Sequence, residues 1–254
     1  MAVDEAILEL VGTSSSPPTL RLFDWNPYTL SLGHAQPISD VDVASLSKLG
    51  WGLVRRPTGG RAILHADELT YSICAKLDNP IVSGNVIESY RRISKGLLKA
   101  LELSGVQADS KPKEETFKKF SDYPVCFQFP SDYEITYNSK KLIGSAQARK
   151  KNAVLQHGAV PLFGEITRIL QVLKPETLGN KQDASAKLQK RATTMEKVLG
   201  RRLTWTEMSE FMIKGFAFVH DIEFDFGSLT KKELQRAVQI RKAKYANPDW
   251  TNRI

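Results

Sequence analysis

Apolar and polar residues alternate through Leu20-Arg-Leu-Phe-Asp-Trp25 and again through Tyr28-Thr-Leu-Ser-Leu-Gly33, with Asn26-Pro27 between the two runs. A period of two residues belongs to a half-buried strand, and Asn-Pro interrupts it as a turn does, so the pattern predicts two strands joined by a turn. Asp40 opens a short helical stretch that ends near Gly50. Arg61–Leu64 and Glu68–Ala75 read as further strands. From Ser83 to Gly105 the residues Val86, Tyr90, Ile93, Leu97 and Leu101 recur at helical spacing, with Ser83 placed to cap the start and Gly105 the end. Residues 106 to 122 are charged and aperiodic, which predicts a surface loop. Tyr133–Tyr137 and Lys141–Gly144 flank Asn138-Ser139, a pair suited to a tight hairpin turn. Val154–Val160 completes the strands. Beyond Pro175 the period becomes helical over Lys187–Leu199, Trp205–Val219 and Leu234–Tyr245, the last two opened by Thr204 with Glu207 and Thr230 with Glu233. Strands with one long helix, then a helical tail, predict an α+β fold: a catalytic-type domain over 1–174 and a C-terminal helical extension over 175–254 packed on it.

With 254 residues, 41% hydrophobic and 25% charged, the chain is long enough to bury a substantial core. No apolar run approaches membrane-spanning length, and the acidic start MAVDEAILEL resembles neither a secretory signal nor a transit peptide, so a cytoplasmic protein is expected, without membrane association. Cys74 and Cys126 are too few for a disulfide framework and lack the paired spacing of a zinc site. The formal charge of +8 gathers partly in two clusters, around Lys140, Lys141, Arg149, Lys150, Lys151 and around Lys187, Lys190, Arg191, Arg201, Arg202. Such a field suits an acidic partner or is simply a solvated face. No zinc finger, RNP signature or KH loop supports nucleic-acid binding. The absence of a coiled-coil pattern suggests a monomer.

Val54-Arg-Arg-Pro-Thr-Gly-Gly-Arg-Ala-Ile-Leu-His65 places two arginines before a glycine turn that leads into a strand. Paired glycines let a backbone approach a ligand closely, and arginines suit an anionic or polarised oxygen. The segment is neither a Walker loop nor a GxGxxG turn; a hairpin connection is the plainer reading. Cys126, held in DYPVCFQFPS, is either a small buried hydrophobe or a nucleophile, and nearby cations such as Lys141 favour the second by lowering a thiol's pKa. Cys74 lies in an apolar strand and reads as core. His65 and His157 are candidate acid-base groups or satisfied structural histidines.

Together, Arg55–His65, Glu68-Leu-Thr-Tyr-Ser72, Cys126, Lys141-Leu-Ile-Gly-Ser-Ala-Gln147 and Leu155-Gln-His-Gly158 stand in an order and spacing that resembles the lipoate-protein ligase A and octanoyltransferase family, most closely its LipM-type octanoyltransferases. The resemblance runs from Met1-Ala-Val-Asp-Glu-Ala6, similar to the family's first helix, to Lys244-Tyr-Ala-Asn-Pro-Asp-Trp250. It implies a mixed β-sheet with flanking helices, related to biotin protein ligases. It also implies transfer of a medium-chain acyl group to one lysine of a lipoyl carrier domain or of the glycine-cleavage H protein.

Family members activate that acyl group either as an adenylate, using ATP and Mg, or by taking octanoyl from the thioester of acyl carrier protein, with no cofactor. In the ligases a third glycine and His-Asp are usual, whereas here Arg61 follows Gly59-Gly60 and Ala66 follows His65, which favours the transferase. An amidotransferase also uses a cysteine and remains an alternative, as does the ATP-dependent ligase; a non-catalytic acyl-carrier binder is weakened by the presence of both Cys126 and Lys141. By resemblance Cys126 is the acyl-accepting nucleophile and Lys141 its charged neighbour, contacting the acyl carbonyl. Arg56, Thr58, Gly59, Gly60 and His65 wall the acyl site, and Gly144, Ser145 and Ala146 shape the adjacent strand. The family also carries about twenty residues before its first helix, including a strand, on the scale of one strand and a turn; either the start is misplaced or the sheet lacks an edge strand here, and a misplaced start is the expectation.

Overall fold

A computed structural model describes residues 1–110, 134–150 and 152–254. Two sheets lie at its centre. The larger contains β1 (Thr19–Phe23), β5 (Glu68–Lys76), β9 (Ala153–Pro161), β8 (Lys140–Lys150), β7 (Ile135–Tyr137) and β6 (Asp109–Ser110), in that spatial order and antiparallel throughout. The smaller is mixed: β2 (Thr29–Leu32) runs parallel to β3 (Gly52–Arg55) and antiparallel to β4 (Ile63–His65). The helices are α1 (Ala2–Gly12), α2 (Val43–Lys48), α3 (Val86–Leu103), α4 (Pro175–Leu178), α5 (Lys181–Arg191), α6 (Met195–Leu199), α7 (Trp205–His220), α8 (Lys231–Ile240) and α9 (Pro248–Thr251). The α+β class is as expected, with the mixed pairing confined to the small sheet. Among the described residues no helix is long and apolar enough to cross a membrane.

The expected pairing of the first two strands does not form. β1 joins β5, whereas β2 leaves for the other sheet. Alternation identifies a strand but not its partner; here the connection is pinned at both ends, by Trp25 Nε1 donating to Thr70 Oγ1 at 2.9 Å and Tyr28 OH to Asp67 at 2.7 Å. The hairpin at Asn138-Ser139 does form. Both residues take positive φ, 47° and 62°, as a two-residue turn matched to strand twist requires. Of the segment read as a loop, Asp109–Ser110 is a short strand, and 111–122 lies outside the described residues.

α3 is as amphipathic as its sequence, but its cap is Asn85 rather than Ser83: the Asn85 side chain accepts from Glu88 N–H and Glu88 returns the bond. The helix expected over Lys187–Leu199 is broken. Ala192 is extended, bridges to Lys141 of β8, and is followed by Thr194, which caps α6. Pairing with a strand edge overrides a helical pattern there. The last long helix starts at Lys231 and widens into one π turn over Arg241–Tyr245. Met195, Leu203, Met208, Met212 and Phe216 share one core with Ile93, Leu97 and Leu101 of α3 and with Leu69, Tyr71, Leu142 and Val160 of the large sheet.

Candidate functional site

The two sheets face each other across a narrow cleft. Ser31, Ile63 and His65 contribute from the small sheet, Thr70, Gly144–Ala146 and His157–Ala159 from the large one, with Arg56 and Met1 at its margins. The enclosed space is about 20 Å³, little more than one water molecule.

Both arginines of the glycine turn are buried and bond to backbone carbonyls. Arg56 donates through Nη1 to Ser31 O at 3.0 Å and through Nη2 to Gly59 O and Arg61 O at 2.9 and 2.7 Å, drawing the turn around its own guanidinium. Arg55, fully buried, holds Thr251 O through Nε and Nη2, at 3.0 and 2.8 Å, and Gly33 O through Nη1 at 2.9 Å. Trp250 Nε1 in turn donates to Arg55 O at 2.8 Å. The last helix is thereby fastened to the residue beside Arg56. Gly60 has φ 92°, and a Cβ on Gly33 would stand 1.8 Å from Gly60 O, so both glycines are needed for this close turn.

His65 is held at both ring nitrogens. Its Nδ1 lies 2.6 Å from Glu68 Oε1 and its Nε2 2.8 Å from Ser31 Oγ, while Trp25 stacks on the ring at 4.4 Å. The Glu68 carboxylate also accepts from Thr70 Oγ1. An acceptor at Nδ1 fixes the proton there, which leaves Nε2 to take the Ser31 hydroxyl. On the opposite wall Thr58 Oγ1 meets His157 Nε2 at 2.7 Å. His157 Nδ1 is buried without a partner among the described residues. Burial, reinforced by the Arg56 charge and only partly offset by Asp4, pushes the His157 pKa down to about 3, so the ring is neutral at ordinary pH. Tyr71 OH and Ser145 Oγ bond at 2.7 Å, and burial pushes that phenol up to about 12. Gly158 permits the tight β8–β9 contact: a Cβ there would meet Gly144 O at 2.5 Å and the Tyr71 ring at 2.6 Å.

Arg56, His65, Gly144, Ser145 and Ala146 all line the cleft. Thr58, Gly59 and Gly60 stand behind it, Thr58 acting on the wall through His157. Lys141, 3% exposed, lies three residues before Gly144, with Nζ 2.5 Å from Glu134 Oε1. Cys126 lies outside the described residues. Cys74 is buried among Ile7, Leu8 and Leu155, and burial pushes its thiol well up, in keeping with a core residue. The sequence reading included Glu68 and Thr70 in a motif without giving either a place in the cleft, and did not single out Ser31 or Glu134; a carboxylate inside the otherwise uncharged stretch Glu68–Ala75 is the one signal it offers. Among the described residues no group of three or more His, Cys, Asp or Glu is placed to hold a metal ion.

Residues 1–217 match the family model of the lipoyl protein ligase A/B catalytic domain, and the chain belongs to that family. It is 40% identical over 254 residues to an octanoyltransferase LipM of Moorella thermoacetica, covering all of this chain and 93% of the relative. It is 38% identical to the LipM of Carboxydothermus hydrogenoformans, covering all of this chain and 94% of that one. Among solved structures, a putative lipoate protein ligase from T. acidophilum with bound lipoic acid superposes with a TM-score of 0.79 at 23% identity, covering 100% and 92% of the two chains, and shares the fold.

Proposed function

We propose that the chain is an octanoyltransferase: it accepts octanoyl from the thioester of acyl carrier protein onto Cys126 and passes it to a lysine of a lipoyl carrier domain or H protein. The observation that carries this reading is the full-length likeness to proteins named octanoyltransferase, at 40% and 38% identity. The cleft supports it. Ser31, His65, Thr70, Ser145 and Arg56 already have protein hydrogen-bond partners, so an occupant meets mainly their carbon surface, which suits an alkyl chain.

A thioester is already activated, so exchange with the Cys126 thiolate is near balance and needs neither ATP nor Mg. The Lys141 ammonium favours that thiolate and the oxyanion that forms when the carbonyl is attacked. The acceptor lysine, arriving as a neutral amine, then forms an amide, and the greater stability of the amide over the thioester drives transfer. The turn held by Arg56 presents a preformed wall beside the reacting end. Neutral His157 adds no charge next to the chain. The chain acts as a monomer on soluble carriers in the cytoplasm.

Intact-protein mass after mixing with octanoyl acyl carrier protein, without ATP, tests the scheme. A hydroxylamine-labile octanoyl adduct is expected on the native chain and not on Cys126→Ser. Transfer that instead requires ATP and free octanoate or lipoate would establish ligase chemistry in its place.

A further inference from the structure

Glu134 and Lys141 are brought together by the β7–β8 hairpin. Its tight turn at Asn138-Ser139 sets Thr136 opposite Lys141, and Glu134, just ahead of β7, places Oε1 2.5 Å from Lys141 Nζ. Their side chains are 11% and 4% exposed. The Lys141 backbone is fixed as well, since Thr193 N–H donates to its carbonyl at 3.0 Å and Ala192 bridges to it.

We propose that Glu134 is a positioning residue that keeps Lys141 an ammonium ion during acyl transfer and so prevents Lys141 from becoming an acyl acceptor itself. The inference rests on the transferase reading. Any site that joins an acyl group to a carrier lysine must discriminate against a lysine of its own, and on the transferase reading Lys141 is that lysine, placed beside the acyl carbonyl. If Lys141 lost its proton, its nitrogen could attack the acyl carbon of the thioester. The C–S bond would break, an N–C bond would form, and the sulfur would leave as thiolate and take the proton shed by the nitrogen. The resulting amide is not undone by thiol exchange, so a single event would remove Lys141 from service. An ammonium has no lone pair and cannot react this way.

The Glu134 carboxylate, in contact with Nζ and largely out of water, favours the charged form of Lys141.

The test uses Glu134→Gln, which keeps the side chain's shape and removes its charge. Protein incubated with octanoyl acyl carrier protein is treated with hydroxylamine, weighed intact and mapped by peptide mass. E134Q is expected to accumulate a hydroxylamine-resistant octanoyl group on Lys141, faster than the native chain by roughly tenfold and faster still as pH rises, the direction expected when a carboxylate beside an ammonium is lost. Glu134→Asp, which retains the carboxylate, should restore most of the protection, and the double variant E134Q/K141R should take no resistant group. Thermal melts establish that each variant is folded, and E134D supplies the comparison if E134Q is not. A native chain and a folded E134Q that show the same labile labelling and the same absence of resistant label would overturn the inference alone. A native chain that takes no labile label would overturn the transferase reading beneath it.

Discussion

Arg55 and Arg56 are adjacent in sequence and turn to different tasks. One gathers the carbonyls of Thr251 and Gly33, the other those of Ser31, Gly59 and Arg61. A planar fork with five donors can serve several carbonyls at once, whereas an ammonium is a single point. Arg55→Lys is therefore expected to lower stability by about 2 kcal/mol or more, because buried carbonyls lose their partners; the midpoint of urea unfolding measures it. An unchanged midpoint would mean that Thr251 and Gly33 find other donors. Arg56, His65 and Gly144–Ala146 could be picked out from sequence because a glycine turn and a lysine-bearing strand stand in a recognisable order. Ser31 could not, and Thr70 stood in a motif with no sign that it faces the cleft. In a strand of period two, a polar residue facing a slit between sheets carries the same signal as one facing solvent.

Helices α3 and α7 touch through glycine. A Cβ on Gly215 would lie 2.6 Å from Ala100 N and 2.8 Å from Gly96 O, and one on Gly96 would lie 2.7 Å from the Phe216 ring. Since Gly215 meets backbone atoms, which cannot swing away, Gly215→Val should destabilise by about 1–3 kcal/mol and lower the melting temperature, despite valine's better helix propensity. A melting temperature at or above that of the native chain would show that the helices can separate at little cost. At the scale of elements, local signals were legible: α3 follows from its spacing, though not from the expected cap at Ser83, α7 from its spacing and the Thr204–Glu207 box, and the hairpin from Asn138-Ser139. Partner choice was not. β2 leaves β1 because Trp25 and Tyr28 are held by Thr70 and Asp67, and α5 ends because Ala192 pairs with β8; these contacts span distances along the chain that no window of residues reports.

Over the whole molecule the two ends meet at Glu5. It accepts from Lys244 Nζ at 2.6 Å, Lys150 Nζ at 2.9 Å and Tyr245 OH at 2.5 Å. Burial alone would raise its pKa, but the bonds from Lys244, Tyr245 and Lys150 prevail and hold it at about 2, against an ordinary 4.5. A carboxylate depressed in the folded state binds fewer protons than in the unfolded chain, so its contribution is complete above about pH 4.5 and drains away as pH falls toward 2. Protection of residues 241–254 against hydrogen exchange, taken relative to the intrinsic rate at each pH, should fall over that window. In Glu5→Gln the same residues should exchange faster at neutral pH and lose that pH dependence; an identical acid profile in both proteins would place the sensitivity elsewhere.

The late position of α7 in the chain bears on synthesis. The apolar face formed by Leu69, Tyr71, Leu142 and Val160 is covered in part by Met208, Met212 and Phe216, which leave the ribosome after every strand has emerged. A nascent chain that has released β9 but not yet α7 therefore carries a completed set of strands with an incompletely covered greasy side. It is in that interval that the polypeptide is most exposed to aggregation and most in need of a chaperone's shelter.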